Sequence, residues 1–232
     1  IWDAAYRLYQ TAEYWPAGTV FVSIVDPGVG TERLSVVLKT KNGQYFVTPD
    51  NGTLALVAEK FGIDEVRQID EAVNRRQDSE KSYTFHGRDV YAYTGARLAS
   101  GAITFEQVGK KLPSKVEMIS YQKAKYEKNT LVGNIPILDV QYGNIWTNID
   151  RNTASKMNIK KGDIFTVEIY NKDKLIFKDK MPFANSFGDV PEGKNLMYYN
   201  SLDSLSFAVN MGDFASTYKI EYGGDWSVKI YK

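Results

Sequence analysis

Val20-Phe21-Val22-Ser23-Ile24-Val25-Asp26-Pro27-Gly28-Val29-Gly30-Thr31-Glu32-Arg33-Leu34-Ser35-Val36-Val37-Leu38 joins two apolar runs through a turn rich in glycine. An apolar run ends in Asp26, turns on Pro27 and two glycines, and resumes as a second apolar run after Arg33. Proline presets φ and glycine admits positive φ, so the segment reads as strand, turn, strand. A strand that ends in Asp delivers a carboxylate to the C-terminal edge of a sheet, where open α/β sheets bind their ligands. The turn then brings Arg33 back towards that edge.

Outward from this stretch, strands are expected at 18–25, 34–39 and 44–48, and helices at 3–13, 53–61 and 88–100. Ala4, Leu8 and Ala12 lie on one stripe of the first helix. Strands alternating with helices predict an α/β unit, a central sheet flanked by helices. From Lys110 to Lys128 the chain is polar and Lys-rich around Pro113, as interdomain linkers are. The expected division is an α/β domain over 1–112, a linker over 113–128 and a β-rich domain over 129–232. In the last, strands are expected at 130–139, 163–170, 174–178, 216–222 and 226–231, with short helices near 152–158 and 203–209. Lys172-Asp173 reads as a hairpin tip. The chain opens at Ile1 inside an amphipathic helical pattern, with neither a Met nor a cap, and a preceding N-terminal segment is expected.

The 232 residues suffice for one large or two small domains. A net charge of +1 makes no electrostatic case for nucleic acid or an anionic membrane. No apolar run approaches the ~20 residues of a membrane span. The absence of cysteine excludes disulfides, thiolate metal sites and a cysteine nucleophile, and leaves the compartment open.

Three residues are candidates for chemistry in the first half. Asp26 and Arg33 flank the glycine turn, and His86, the only histidine, lies in Thr84-Phe85-His86-Gly87-Arg88-Asp89 just before a helix. Unpaired N–H groups at a helix start favour oxygen-rich ligand atoms. Each residue also has a plain reading: Asp26 as a turn residue, Arg33 as a surface cation, His86 as a structural imidazole. The glycine turn lacks the Lys-Ser/Thr of a P-loop and the spacing of a dinucleotide fingerprint. In the second half Asp139, Tyr142, Asn144 and Trp146 surround a turn at Gly143. A carboxylate, a carboxamide and two aromatics on one turn suit a flat ligand with polar edges, or else an ordinary hairpin with packed rings. A loop over 183–193 carries Phe187, and Asn200-Ser201 ends a short strand.

Taken together, these motifs resemble the S-adenosyl-L-methionine hydroxide adenosyltransferases, relatives of fluorinase and chlorinase. The resemblance runs almost end to end: Val25–Arg33 (VDPGVGTER), Pro49–Gly52 (PDNG), Thr84–Asp89 (TFHGRD), Asp139–Ile149 (DxxxGNxWTNI), Asp189–Gly193 (DVPEG) and Asn200-Ser201. It implies an N-terminal α/β domain, a barrel-like C-terminal β domain, and a homotrimer with substrate sites between subunits. It also implies that S-adenosylmethionine and water give adenosine and methionine, with no further cofactor. Asp26, Arg33 and His86 match the polar set that gathers around the attacking water. Phe187 and Tyr142 match aromatics that pack around adenine. Asp139 and Ser201 match groups that take the methionine ammonium and carboxylate, with Asn144 and Trp146 nearby.

Halogenase relatives lack that polar set, so the resemblance favours water over halide. The family's ribose-holding Asp precedes the point where this chain begins. The alternatives to hydrolysis are adenosyl transfer to halide, and a non-catalytic sensor of adenosine or S-adenosylmethionine.

Overall fold

Helix α1 (Trp2–Ala12) buries Ala5, Leu8 and Ala12, the apolar stripe that helical spacing predicts. Its last carbonyls would lack intrahelical donors. Gln44, fully buried, serves the end of the helix: its Nε2 donates to the carbonyl of Ala12 and to that of Trp15 just beyond it, each at 2.6 Å. The computed structural model describes residues 1–232, which divide into two units, Ile1–Ile119 and Ser120–Lys232.

The first unit carries strands β1 (Val20–Val22), β2 (Ser35–Thr40) and β3 (Tyr45–Pro49), helix α2 (Ala55–Phe61), β4 (Ile63–Gln68), helix α3 (Tyr93–Ala99) and β5 (Lys111–Leu112). They form one sheet in the order β1-β3-β2-β4-β5. The β1–β3 pair is parallel and the other three pairs are antiparallel. Alternation along β2 sends Val36 and Leu38 into a cluster with Leu8, Ala12 and Val57, and Val37 into another with Val47, Val90 and Tyr91. The sheet is thus covered on both faces by helical segments. β1 is shorter than the apolar run predicts: the pairing ends at Val22, although Ser23 N still donates to Val47 O at 3.1 Å. The helix expected at 88–100 begins as a wide π-type turn over Gly87–Ala92 and continues as α3. At Gly95 a Cβ would overlap the Val22 side chain, so only glycine lets this helix lie so close to β1.

The second unit carries β6 (Lys125–Glu127), β7 (Thr130–Asn134), β8 (Ile137–Asp139), β9 (Asn144–Asp150), helix α4 (Arg151–Ser155), β10 (Ile164–Asn171), β11 (Lys174–Pro182), β12 (Asn195–Tyr199), β13 (Ser204–Val209), helix α5 (Phe214–Tyr218) and β14 (Trp226–Tyr231). Two open sheets result, β11-β10-β14-β7-β6 and β12-β13-β9-β8, around a core that includes Leu131, Ile145, Phe165, Phe207 and Phe214. Neither sheet closes on itself, so this half holds no closed barrel: β11 and β6, at opposite edges, each pair on one side only.

Two expectations about single elements are corrected. Residues 204–209 form strand β13, paired with both β12 and β9, where a helix near 203–209 is expected. Residues 216–222 are not a strand, because Asp213 caps α5 by accepting from Ser216 N at 2.7 Å. The β10–β11 hairpin does turn where expected, with Lys172 in the left-handed region at φ 53°. Residues 113–128 are structured in both units: Val116 is buried in the first, and β6 is an edge strand of the second. No helix is long and apolar enough to cross a membrane.

Candidate active site

In the first unit the backbone leaves the sheet before Asp26 and turns, with Val29 N donating to Asp26 O at 3.2 Å and Thr31 N to Gly28 O at 3.1 Å. Asn51, from the Pro49–Gly52 motif, donates its Nδ2 to Val25 O at 2.9 Å and steadies the approach to Asp26. The turn lays Arg33 along the Asp26 carboxylate. Arg33 Nε donates to Oδ1 at 2.9 Å and Nη2 to Oδ2 at 2.6 Å, the two-pronged geometry that a lysine cannot reproduce. Their side chains are 6% exposed for Asp26 and 11% for Arg33. Arg33 Nη1 donates to Ser35 Oγ at 2.9 Å, and Arg33 Nη2 also lies 3.1 Å from His86 Nδ1. Asp26, Arg33 and His86, separate in the sequence, therefore meet in one cluster.

The surroundings set the charge states. Burial opposes the charge on Arg33, but the Asp26 hydrogen bond and neighbouring negative charges outweigh it, and the Arg33 pKa is raised. His86 is lowered, first by burial; the Arg33 and Arg75 cations add to this, while Glu71 and Asp26 act against it. Tyr91, wholly buried, packs its ring 5.4 Å from the Arg33 guanidinium carbon, and its hydroxyl lies 3.1 Å from Ser35 Oγ. Burial, the largest influence, raises the Tyr91 hydroxyl pKa.

In the second unit, a pocket of about 680 Å³ has Asp139, Tyr142, Asn144, Trp146, Phe187 and Ser201 in its wall. Asp139 ends β8 and Asn144 opens β9, and Asn144 Nδ2 donates to Asp139 Oδ2 at 3.3 Å. Gly143, at φ 68°, makes the turn between them, and a Cβ there would overlap the Asp213 carboxyl. Its carbonyl accepts from Ala215 N at 2.9 Å, which ties the turn to α5. The indole Nε1 of Trp146 is buried without an acceptor. Phe187 stands at the rim with its ring 5.0 Å from that of Tyr198. Ser201 sits on a turn built by Asn200, whose Oδ1 accepts from Leu202 N and Ser204 N at 2.8 and 3.1 Å.

Comparison with known proteins gives this two-part arrangement its context. Family models match residues 1–109, as the SAM hydroxide adenosyltransferase N-terminal domain, and residues 133–227, as the corresponding C-terminal domain. The chain belongs to the SAM hydroxide adenosyltransferase family. A Methanocaldococcus jannaschii protein named (R)-S-adenosyl-L-methionine hydrolase is 33% identical over 224 residues, 96% of this chain and 75% of that protein. A protein of Nocardia brasiliensis named fluorinase is 26% identical, over 99% of this chain and 83% of that protein. A Thermotoga maritima crystal structure of an uncharacterized conserved protein superposes at TM-score 0.85 with 35% identity, over 100% of this chain and 84% of that one.

In this SAM hydroxide adenosyltransferase several site neighbours escape a reading of the sequence. Ser35, Glu71, Arg75 and Tyr91 surround the Asp26–Arg33–His86 cluster, and Tyr198, Asn210 and Asp213 join the pocket wall. Ser35 lies inside an apolar strand run, where one small polar residue reads as an interruption. Only the four-residue spacing of Glu71 and Arg75 hinted at a pair, and no helical period surrounds it.

Proposed function

We propose that this chain hydrolyses S-adenosyl-L-methionine to adenosine and L-methionine by attack of water at the ribose C5′. One observation carries the reading: Arg33 Nη2 stands 2.6 Å from Asp26 Oδ2 and 3.1 Å from His86 Nδ1. A carboxylate, a guanidinium and an imidazole focused on one spot suit the activation of a water. The SAM hydrolase at 33% identity supports the substrate class.

As the water oxygen bonds to C5′, the C5′–S bond breaks and its electron pair returns to sulfur, which leaves as a neutral thioether. The leaving group needs no acid, so the demand falls on the nucleophile. Asp26 accepts the water proton and offsets the repulsion between Arg33 and the sulfonium. Arg33 and His86 orient the water and stabilise developing hydroxide. A positioned base contributes ~10²–10⁴-fold, and fixed in-line geometry supplies ~7–11 kcal/mol, so positioning contributes more than proton abstraction. In the second unit, Phe187 and Tyr142 pack adenine, Asp139 takes the ammonium and Ser201 the carboxylate, with Asn144 and Trp146 beside them. A pocket of about 680 Å³ is the usual size for such a ligand. The assembly belonging to this reading is a homotrimer in which neighbouring copies contribute to each substrate site.

Turnover tests it. With S-adenosylmethionine in water, adenosine and methionine should form in equal amounts. Asp26→Ala, Arg33→Ala and His86→Ala should each lower kcat by more than about tenfold. A 5′-halo-adenosine that forms faster than adenosine in chloride or fluoride would replace hydrolysis with halide transfer. Tight binding without any product would make the chain a sensor.

A further inference from the structure

Both ring nitrogens of His86 face guanidinium donors. Nδ1 lies 3.1 Å from Arg33 Nη2, and Nε2 lies 3.2 Å from Arg75 Nη2. A guanidinium only donates hydrogen bonds. An imidazolium, with N–H at both positions, would offer neither cation an acceptor and would add a third positive charge. A neutral imidazole has one lone pair for one guanidinium, and sets only one N–H, without added charge, against the other.

Each cation that touches the ring already has its own counter-ion, so an imidazolium would be left without one. Arg33 is paired with Asp26 at 2.6 Å and Arg75 with Glu71 at 2.5 Å. The next charges along, Arg88 and Asp89 on the same helical segment, pair with each other at 2.7 Å, and Arg76 adds a further cation 3.9 Å from the same Asp89 carboxylate. His86 is 7% exposed and the Arg75 side chain 11%, while the Glu71 side chain stays 35% exposed. Arg75 Nη1 is buried with no acceptor, so this guanidinium is not fully used by its own ion pair.

The segment carrying Glu71 and Arg75 is pinned on two sides. Asn74 N donates to Asp70 O at 2.8 Å, its buried Nδ2 donates to Val108 O at 2.9 Å, and Arg76 N donates to Asp89 O at 2.8 Å. Glu71 joins the cluster a second time, its Oε1 accepting from Ser35 Oγ at 3.3 Å. A pair serving only the local turn would not need the contact with the histidine.

We propose that Arg75, charge-balanced by Glu71, is a positioning residue that holds His86 neutral, so that His86 serves the reaction as a hydrogen-bonding group and not as the base. The assignment rests on the hydrolase reading for its chemistry, and on the two ring contacts for its geometry. It leaves Asp26 as the acceptor of the water proton.

His86 is the only histidine, so ¹⁵N-imidazole NMR follows a single ring without ambiguity. In substrate-free protein the ring should remain neutral at and below the ordinary histidine midpoint. Arg75→Gln leaves the Glu71 carboxylate uncompensated beside the ring, and the midpoint should rise by on the order of one pH unit or more. The Glu71→Gln/Arg75→Gln double variant should rise less, and Arg75→Lys should titrate near the wild type. In turnover, Arg75→Gln should lose about tenfold or more in kcat at neutral pH with KM nearly unchanged, and gain an acid limb at its NMR midpoint. Arg75→Lys should recover most of the loss.

An ordinary midpoint in the wild type overturns the proposal even if no variant folds. An Arg75→Gln protein that loses kcat without a change in the His86 titration overturns it as well, since a merely structural role would behave so. Adenosine release with an ordinary midpoint counts against Arg75 alone. A lowered midpoint without adenosine release counts against the hydrolase reading alone.

Discussion

Arg33 spends its donors on three groups at once, Asp26, Ser35 and His86, and so converts a flexible glycine turn into a fixed point. Gly143 does the same for the second unit by the opposite means, through what it lacks. It adopts φ 68°, and a Cβ would overlap the Asp213 carboxyl that caps α5. Gly143→Ala should therefore cost about 2–3 kcal/mol, from backbone strain and displacement of the cap together. Urea unfolding measures it; an unchanged midpoint would show that α5 yields freely. Residues at punctuated turns were legible in the sequence. Asp26 before Pro-Gly, His86 before Gly, and Asp139 and Asn144 about Gly143 all announce themselves by their neighbours. Glu71, Arg75 and Tyr91 did not, because the contacts that give them a role join segments remote in the chain.

At the scale of elements, alternation and capping decided the outcome. In β13 the run Ser204-Leu205-Ser206-Phe207-Ala208-Val209 has the period of a strand, but four consecutive buried residues hide that period from a helical reading. In α5, Ser, Thr and Tyr suggested a strand, and the Asp213 cap with buried Phe214 overrode them. Where the two sheets end was hidden for a similar reason, since short strands can be counted in a sequence but their edge pairings cannot. β10 offers a test. Glu168 accepts from Lys178 Nζ, Tyr170 and Tyr231 at 2.8, 2.7 and 2.8 Å. The Lys178 hydrogen bond, then that of Tyr170, lowers its pKa from 4.5 to about 2. A depressed folded-state pKa stabilises above the unfolded value and ceases to do so as pH falls through the folded one. Glu168→Gln should lower the urea midpoint near neutral pH, and its gap from the wild type should close between pH 4.5 and about 2. A gap that stays constant across that window would remove Glu168 as the cause.

At the scale of the whole molecule, each unit holds its own core, with the polar cluster in residues 1–119 and the ligand-sized pocket in residues 120–232. In the proposed reading one substrate needs both. In the proposed homotrimer, Asp26→Ala chains mixed with Asp139→Ala chains should regain activity that neither has alone, because some sites then combine an intact cluster with an intact pocket. Mixed trimers, confirmed by differential tagging, that stay inactive would end the shared-site reading.

The second unit also carries a consequence of an optical kind. Of the four tryptophans, only Trp146 lines the pocket, and its indole N–H has no acceptor there. Trp226 is 5% exposed in the core of the same unit, and Trp15 is 54% exposed in the other. In the proposed reading a substrate seated in the pocket lies beside Trp146, and an acceptor reaching Nε1 would move the emission to longer wavelength. The unlabelled protein would then be its own reporter: filling of the pocket should shift its light, and release of the last product should restore it.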